Sequence, residues 1–181
     1  FTGGTGDDTF SAPVEQDGNG ALIETLQSVD ELDGGEGADT LNATLQGDGS
    51  TPSVASIEVL NLRDTDGTTI NAANVTGAEQ ILSDRSTGDL DVDNVQNLVT
   101  IGLDDTDADY ALAYANGDLG ADDVTQSVVL RNGVGEDGAP VVLTLETGGG
   151  DEVTTLDIAN SGDSFVNVTQ ANTTDTIETV N

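Results

Sequence analysis

Apolar residues along this chain fall into short packets, most of them alternating with polar ones. The packets occupy positions 57–62, 68–72, 80–83, 90–92, 98–103, 128–130, 141–145, 154–158, 165–168 and 177–180. Val142-Leu143-Thr144-Leu145 and Leu156-Asp157-Ile158 show the period of two expected where one face of a strand is buried. Asp66-Gly67, Asn116-Gly117, Asn132-Gly133 and Asp137-Gly138 punctuate them as turn dipeptides. Packets recur about every 10–12 residues, a spacing that suits an all-β fold.

Two all-β architectures compete. A solenoid uses short strands and turns of roughly 20 residues, each turn leaning only on its neighbours. A sandwich needs longer paired strands and a thicker core. Short strands and abundant Asn and Thr favour a short-stranded β-solenoid, akin to a parallel β-helix, with a β-sandwich as the alternative. At most one or two short helices are expected. In 21–32, Leu22, Ile23, Leu26, Val29 and Leu32 follow helical spacing. Segment 107–116 has an acidic start, several alanines and Gly117 as a cap, yet Tyr110, Leu112 and Tyr114 alternate as a strand would.

Composition sharpens this picture. Aromatic residues make up only 3% of the 181 positions and tryptophan is absent. The core must therefore be thin and aliphatic, which suits layered turns better than a sandwich built on aromatic anchors. Thirty-five acidic residues face three arginines, Arg63, Arg85 and Arg131, for a formal charge of −32. Such a chain repels a phosphate backbone, so nucleic acid is excluded as a partner. No apolar run approaches the ~18 residues of a membrane span, so no membrane insertion is expected. Cysteine is absent, which leaves bound cations as the available staples for an exported fold.

The glycines identify a candidate site. Residues 3–11 read GGTGDDTFS and residues 34–42 read GGEGADTLN. Both fit G-G-x-G-x-D-x-U-x, with U a large apolar residue. Glycines let the backbone turn tightly and bring carbonyl oxygens close to a cation. Asp8 and Asp39 supply hard carboxylate oxygens, and Phe10 and Leu41 point inward to anchor a short strand. Such flexible, all-oxygen ligation suits Ca²⁺ better than Mg²⁺. The candidate ligands are Gly4, Gly6 and Asp8 in the first copy and Gly35, Gly37 and Asp39 in the second, with Asp7 as an extra carboxylate.

The pattern resembles the calcium-binding nonapeptide of the RTX (repeat-in-toxin) proteins exported by bacterial type I secretion. More broadly, residues 1–62 resemble the start of the β-strand-repeat region of RTX-type S-layer proteins. In that family an apolar I-E-x-L/V-N step follows the second glycine pair. Here it reads Ile57-Glu58-Val59-Leu60-Asn61, and again Ile177-Glu178-Thr179-Val180-Asn181. The resemblance implies calcium-binding turns over 1–45 and a β-strand-repeat region over 46–181 continuous with them. It also implies an extracellular or cell-surface location, with the export signal outside this chain. The chain opens in mid-motif and closes on a strand-like step, and so reads as a fragment of a longer protein. One departure stands out: RTX ions sit between consecutive turns of tandem repeats, whereas these motifs begin 31 residues apart, at Gly3 and Gly34.

Further acidic clusters are secondary candidates. Asp89, Asp91 and Asp93 alternate, and on a strand their carboxylates would share one face. Asp105, Asp107 and Asp109 repeat the spacing, and Asp64 and Asp66 flank a small acidic turn. None is an EF-hand, because the twelfth position counted from Asp89 is Thr100 rather than glutamate. The bland reading is a solvated acidic face.

Catalysis has little to work with. Histidine, lysine and cysteine are all absent, which removes serine triads, thiol nucleophiles and zinc ligands. The expectation is a non-enzymatic, calcium-stabilised structural segment of a bacterial surface coat, in which Ca²⁺ drives folding and self-assembly. Its partners would be other copies of itself and, through calcium, cell-surface polysaccharide. The alternative is a spacer or carbohydrate-binding module of a type I-secreted adhesin or polysaccharide-active enzyme, with Tyr110 and Tyr114 as the available aromatic platform.

Overall fold

The computed structural model describes residues 1–47, 49–115, 119, 124–135, 139–147, 153–171 and 177–181. They form a right-to-the-ends stack of parallel turns, a β-solenoid, and contain no helix. Sheet I holds β1 (Thr9–Ala12), β5 (Thr40–Leu45), β7 (Val59–Asp64), β10 (Gln80–Asp84), β12 (Thr100–Thr106), β14 (Val124–Val134), β16 (Val153–Ser161) and β18 (Thr179–Val180), in that spatial order. Sheet II holds β8 (Thr69–Asn71), β11 (Leu90–Val95), β13 (Tyr110–Tyr114), β15 (Val141–Glu146) and β17 (Val166–Ala171). A short sheet III, made of β4 (Glu31–Asp33), β6 (Ser53–Ala55) and β9 (Val75–Thr76), adds a third face to the early turns. Among the described residues the exception to parallel pairing is an antiparallel hairpin of β2 (Val14–Gln16) and β3 (Leu22–Glu24).

Register explains how a sequence poor in aromatics fills the core. Thr40 pairs with Val59, Val59 with Gln80 and Gln80 with Thr100, so these middle turns take about twenty residues each. Like therefore stacks on like. Leu41, Leu60, Ile81, Ile101 and Val128 form one inward column from sheet I. Leu90, Tyr110 and Leu143 form another from sheet II, beside Val92, Leu112 and Leu145. Every one of these side chains is buried. This parallel stacking excludes the sandwich alternative.

Both segments with helical spacing resolve as strands and turns. Leu22 and Ile23 lie in β3 and Leu32 in β4, while the helix-like 107–116 segment contributes β13. In β13 the period of two prevails, because Tyr110, Leu112 and Tyr114 face the core while Ala111 and Ala113 do not. Gly117, with the Asn116-Gly117 and Asp137-Gly138 dipeptides, lies outside the described residues. Asn132-Gly133 forms a corner within β14, with both residues at positive φ (54° and 87°).

The two tyrosines occupy different polar environments. Tyr114 donates to Gln126 Oε1 at 2.6 Å, and Gln126 Nε2 donates to the Val99 carbonyl at 2.8 Å. The Tyr110 hydroxyl is buried without a hydrogen-bond partner. Burial pushes both phenol pKa values up. Tyr110→Phe should thus leave stability unchanged or raise it by about 1 kcal/mol, whereas Tyr114→Phe should cost about 1–3 kcal/mol by stranding the Gln126 carbonyl. Urea unfolding of the two variants checks this, and the reverse order would contradict the assignment.

Candidate metal centre

The hairpin accounts for the odd spacing of the two glycine motifs. Thr9 pairs directly with Thr40, Phe10 with Leu41 and Ser11 with Asn42. The copies are thus consecutive turns of one coil, and β2–β3 is an excursion from the first of them. Its tip is closed by Asp17, whose Oδ1 accepts from the amides of Asn19 and Ala21 at 2.8 and 2.9 Å. Sequence distance concealed a contact that the fold makes immediate.

The motif residues interlock across that contact. The Gly4 carbonyl accepts from Glu36 N–H at 3.0 Å, and Gly4 N–H donates to Asp8 Oδ2 at 2.6 Å. Asp7 Oδ1 accepts from Ala38 N–H at 2.9 Å, and Asp39 Oδ1 accepts from Asp8 N–H at 2.6 Å. Gly35 has φ +94° and Gly37 φ +142°. A Cβ on Gly37 would lie 2.7 Å from the Gly6 carbonyl carbon, so the second copy requires glycine there for close approach. Gly35 N–H donates to Asp33 Oδ1 at 3.2 Å.

The next turn repeats the arrangement with other residues. Leu41 pairs with Leu60 and Asn42 with Asn61, which places Asp39 level with Glu58. Asp39 N–H donates to Glu58 Oε2 at 2.7 Å, as Asp8 N–H does to Asp39 Oδ1. The Ile57-Glu58-Val59-Leu60-Asn61 step is therefore the third-turn counterpart of Ala38-Asp39-Thr40-Leu41-Asn42. Asn61 Nδ2 donates to Asn42 Oδ1 at 2.9 Å along the same ladder. The later Ile177-Glu178-Thr179-Val180-Asn181 step also leads into sheet I, through β18.

Asp39 is the anomaly in this column. It is 0% exposed, and its Oδ2 has no hydrogen-bond partner. Both this oxygen and the Ser56 carbonyl crowd the point where a Cβ on Gly34 would sit. Two acceptors thus lie side by side with no donor for Oδ2. Such a group costs free energy unless something positive satisfies it. The donor set is all oxygen, which fits a hard cation. Among the described residues no three carboxylates converge on one point, so backbone carbonyls would have to contribute.

The secondary acidic residues serve other ends or face solvent. Asp64 is buried and accepts from the amides of Asp66 (2.8 Å), Gly67 (3.0 Å) and Thr68, closing the turn at the end of β7. Asp66 is exposed within that turn. Asp91 and Asp93 project from β11 to solvent, and Asp89 precedes that strand. Partial burial raises the Asp91 carboxyl pKa, and repulsion from Asp93 and Asp89 adds to the rise. Asp105, Asp107 and Asp109 do not form a strand ladder. Asp105 turns the corner at the end of β12 with φ 49°, and Asp107 and Asp109 lie between β12 and β13. Asp109 instead accepts from Val142 N–H at 2.8 Å.

The arginines gather at one end of sheet I. Asp84 pairs with Asp104 and Asp104 with Arg131, while Arg85 bonds Asp84 through two nitrogens at 2.8 and 3.0 Å. Arg63 and Arg85 line a shallow cleft of about 530 Å³ with Asp89, Asp105 and Asp107. Carboxylates outnumber cations there, so it is no anion site.

No protein-family model matches the chain, and neither a curated protein nor a solved structure is significantly similar to it.

Proposed function

We propose that this chain is a calcium-stabilised structural segment of an extracellular bacterial surface coat, similar to an S-layer. The observation that carries the reading is the buried, unpartnered Asp39 Oδ2 beside the Ser56 carbonyl, where the second G-G-x-G-x-D turn stacks on the third turn. In this reading Asp8 and Asp39 supply carboxylate oxygens, and the Gly4, Gly6, Gly35 and Gly37 turns present carbonyls. Asp7 stands at the rim as a further carboxylate. Bound calcium supplies the positive charge that this donor-poor column lacks. At low calcium the −32 charge keeps the chain loose. Outside the cell, ligation of the folded form alone stabilises it by mass action.

Self-assembly into an array is part of the proposal, with other copies as the partners and type I secretion as the export route. A carbohydrate-binding role finds less support, because Tyr110 and Tyr114 are 0% and 5% exposed and offer no aromatic platform. Calcium titrated into chelator-treated protein should raise the far-UV β-signal and then particle size, while magnesium and sodium chloride should not. A fold and size indifferent to chelation would overturn the reading.

A further inference from the structure

We propose that the third turn completes the cation site at Asp39, with Glu58 joining Asp39 and the Ser56 carbonyl to ligate a hard divalent ion of the calcium class. This rests on the reading above and extends it to a step that carries no glycine pair. The column of carboxylates is the starting point. Asp39 reaches back to the Asp8 amide, and Glu58 reaches back to the Asp39 amide, by bonds of 2.6 and 2.7 Å. Glu58 therefore places a second carboxylate at the backbone of Asp39, a buried residue whose Oδ2 lacks a partner.

The backbone is shaped for it. Ser56 is a non-glycine residue at φ 52°, in the left-handed region that such residues rarely occupy. Its amide bonds the Thr76 carbonyl at 3.1 Å, and its own carbonyl is turned towards Gly34 and Asp39. The Asp39 carboxylate and the Ser56 carbonyl border one point there, both acceptors, and the Glu58 carboxylate is held next to them at the Asp39 amide. One turn further the pattern lapses. Glu79 is exposed, and its backbone N–H, not its side chain, bonds the Glu58 carbonyl at 2.8 Å. The site thus ends at Glu58, and Glu79 provides an internal control of equal charge.

Glu58→Gln keeps an acceptor for the Asp39 amide but removes the charge. Calcium titration calorimetry with equilibrium dialysis of the whole chain should show Glu58→Gln losing one bound ion, or weakening one class of site at least tenfold. Glu79→Gln should match the wild type. Unchanged stoichiometry and affinity in Glu58→Gln would overturn this proposal and leave the stacked-motif reading standing. A wild-type chain that binds no calcium would sink both. Should Glu58→Gln fail to fold, side-chain carboxyl ¹³C shifts of the wild type under calcium titration decide: Glu58 moving to saturation supports the site, and Glu58 static while Asp8 moves refutes it.

Discussion

Gly34→Ala should cost the solenoid more than about 3 kcal/mol, at the upper end of what overpacking does. Gly34 follows β4, and its amide bonds the Ala55 carbonyl at 2.9 Å. An added Cβ would overlap the Ser56 carbonyl oxygen and stand 2.9 Å from Asp39 Cβ. Neither obstacle is the free end of a flexible side chain. Ser56 is backbone held by its bond to Thr76, and Asp39 is fully buried and tied to both neighbouring turns. Relief requires the second and third turns to part, which breaks parallel pairing on either side of the corner. Gly18→Ala, where nothing lies within 4 Å, should change stability by no more than about 0.5 kcal/mol. Urea midpoints of the two variants under identical calcium decide the matter. A Gly34→Ala loss below about 1 kcal/mol would mean the turns are not packed as closely as described.

This contrast also shows what a linear reading could reach. The period-two packets located β7, β10, β12, β15 and β16, because in a solenoid each strand buries one face regardless of its partner. Ala111 and Ala113 obscured β13: alanine fits both periods, and only the stacking of Tyr110 on Leu143 decides in favour of the strand. Pairing register was out of reach. The β2–β3 excursion separates the two glycine motifs in sequence while leaving Thr9 beside Thr40. For the same reason Glu58 looked like part of a separate step. A signal was present, since Ala38-Asp39-Thr40-Leu41-Asn42 and Ile57-Glu58-Val59-Leu60-Asn61 share an acid, a β-former, a leucine and an asparagine in order. The 105–109 cluster misled in the other direction, whereas Asp91 and Asp93 do share one face of β11. Alternation implied ladders, but the positive φ at Arg85, Asp105 and Asn132 marks a recurrent corner after sheet I, and that corner interrupts the strand between Asp105 and Asp109.

Asp39→Asn should change sign with calcium, and that crossing separates a ligand from a structural residue. In the variant, Oδ1 can continue to accept from the Asp8 amide, and the amide nitrogen replaces the oxygen that lacks a partner. The Ser56 carbonyl borders the same point, so an N–H there gains an acceptor where the wild type has two acceptors and no donor. Satisfying a buried polar group is worth about 1–3 kcal/mol, and in chelator the variant should be more stable than the wild type by that order. In calcium the balance reverses. A site saturated at a hundred times its dissociation constant contributes about 2.7 kcal/mol, and the variant forfeits most of it by losing the charge. Urea unfolding followed by circular dichroism, in chelator and in excess calcium, gives all four stabilities. Equal losses in both media would make Asp39 a packing residue and remove the support for a calcium-stapled corner. A crossing would tie the stability of the stacked turns to an ion held where the second glycine motif meets the third turn.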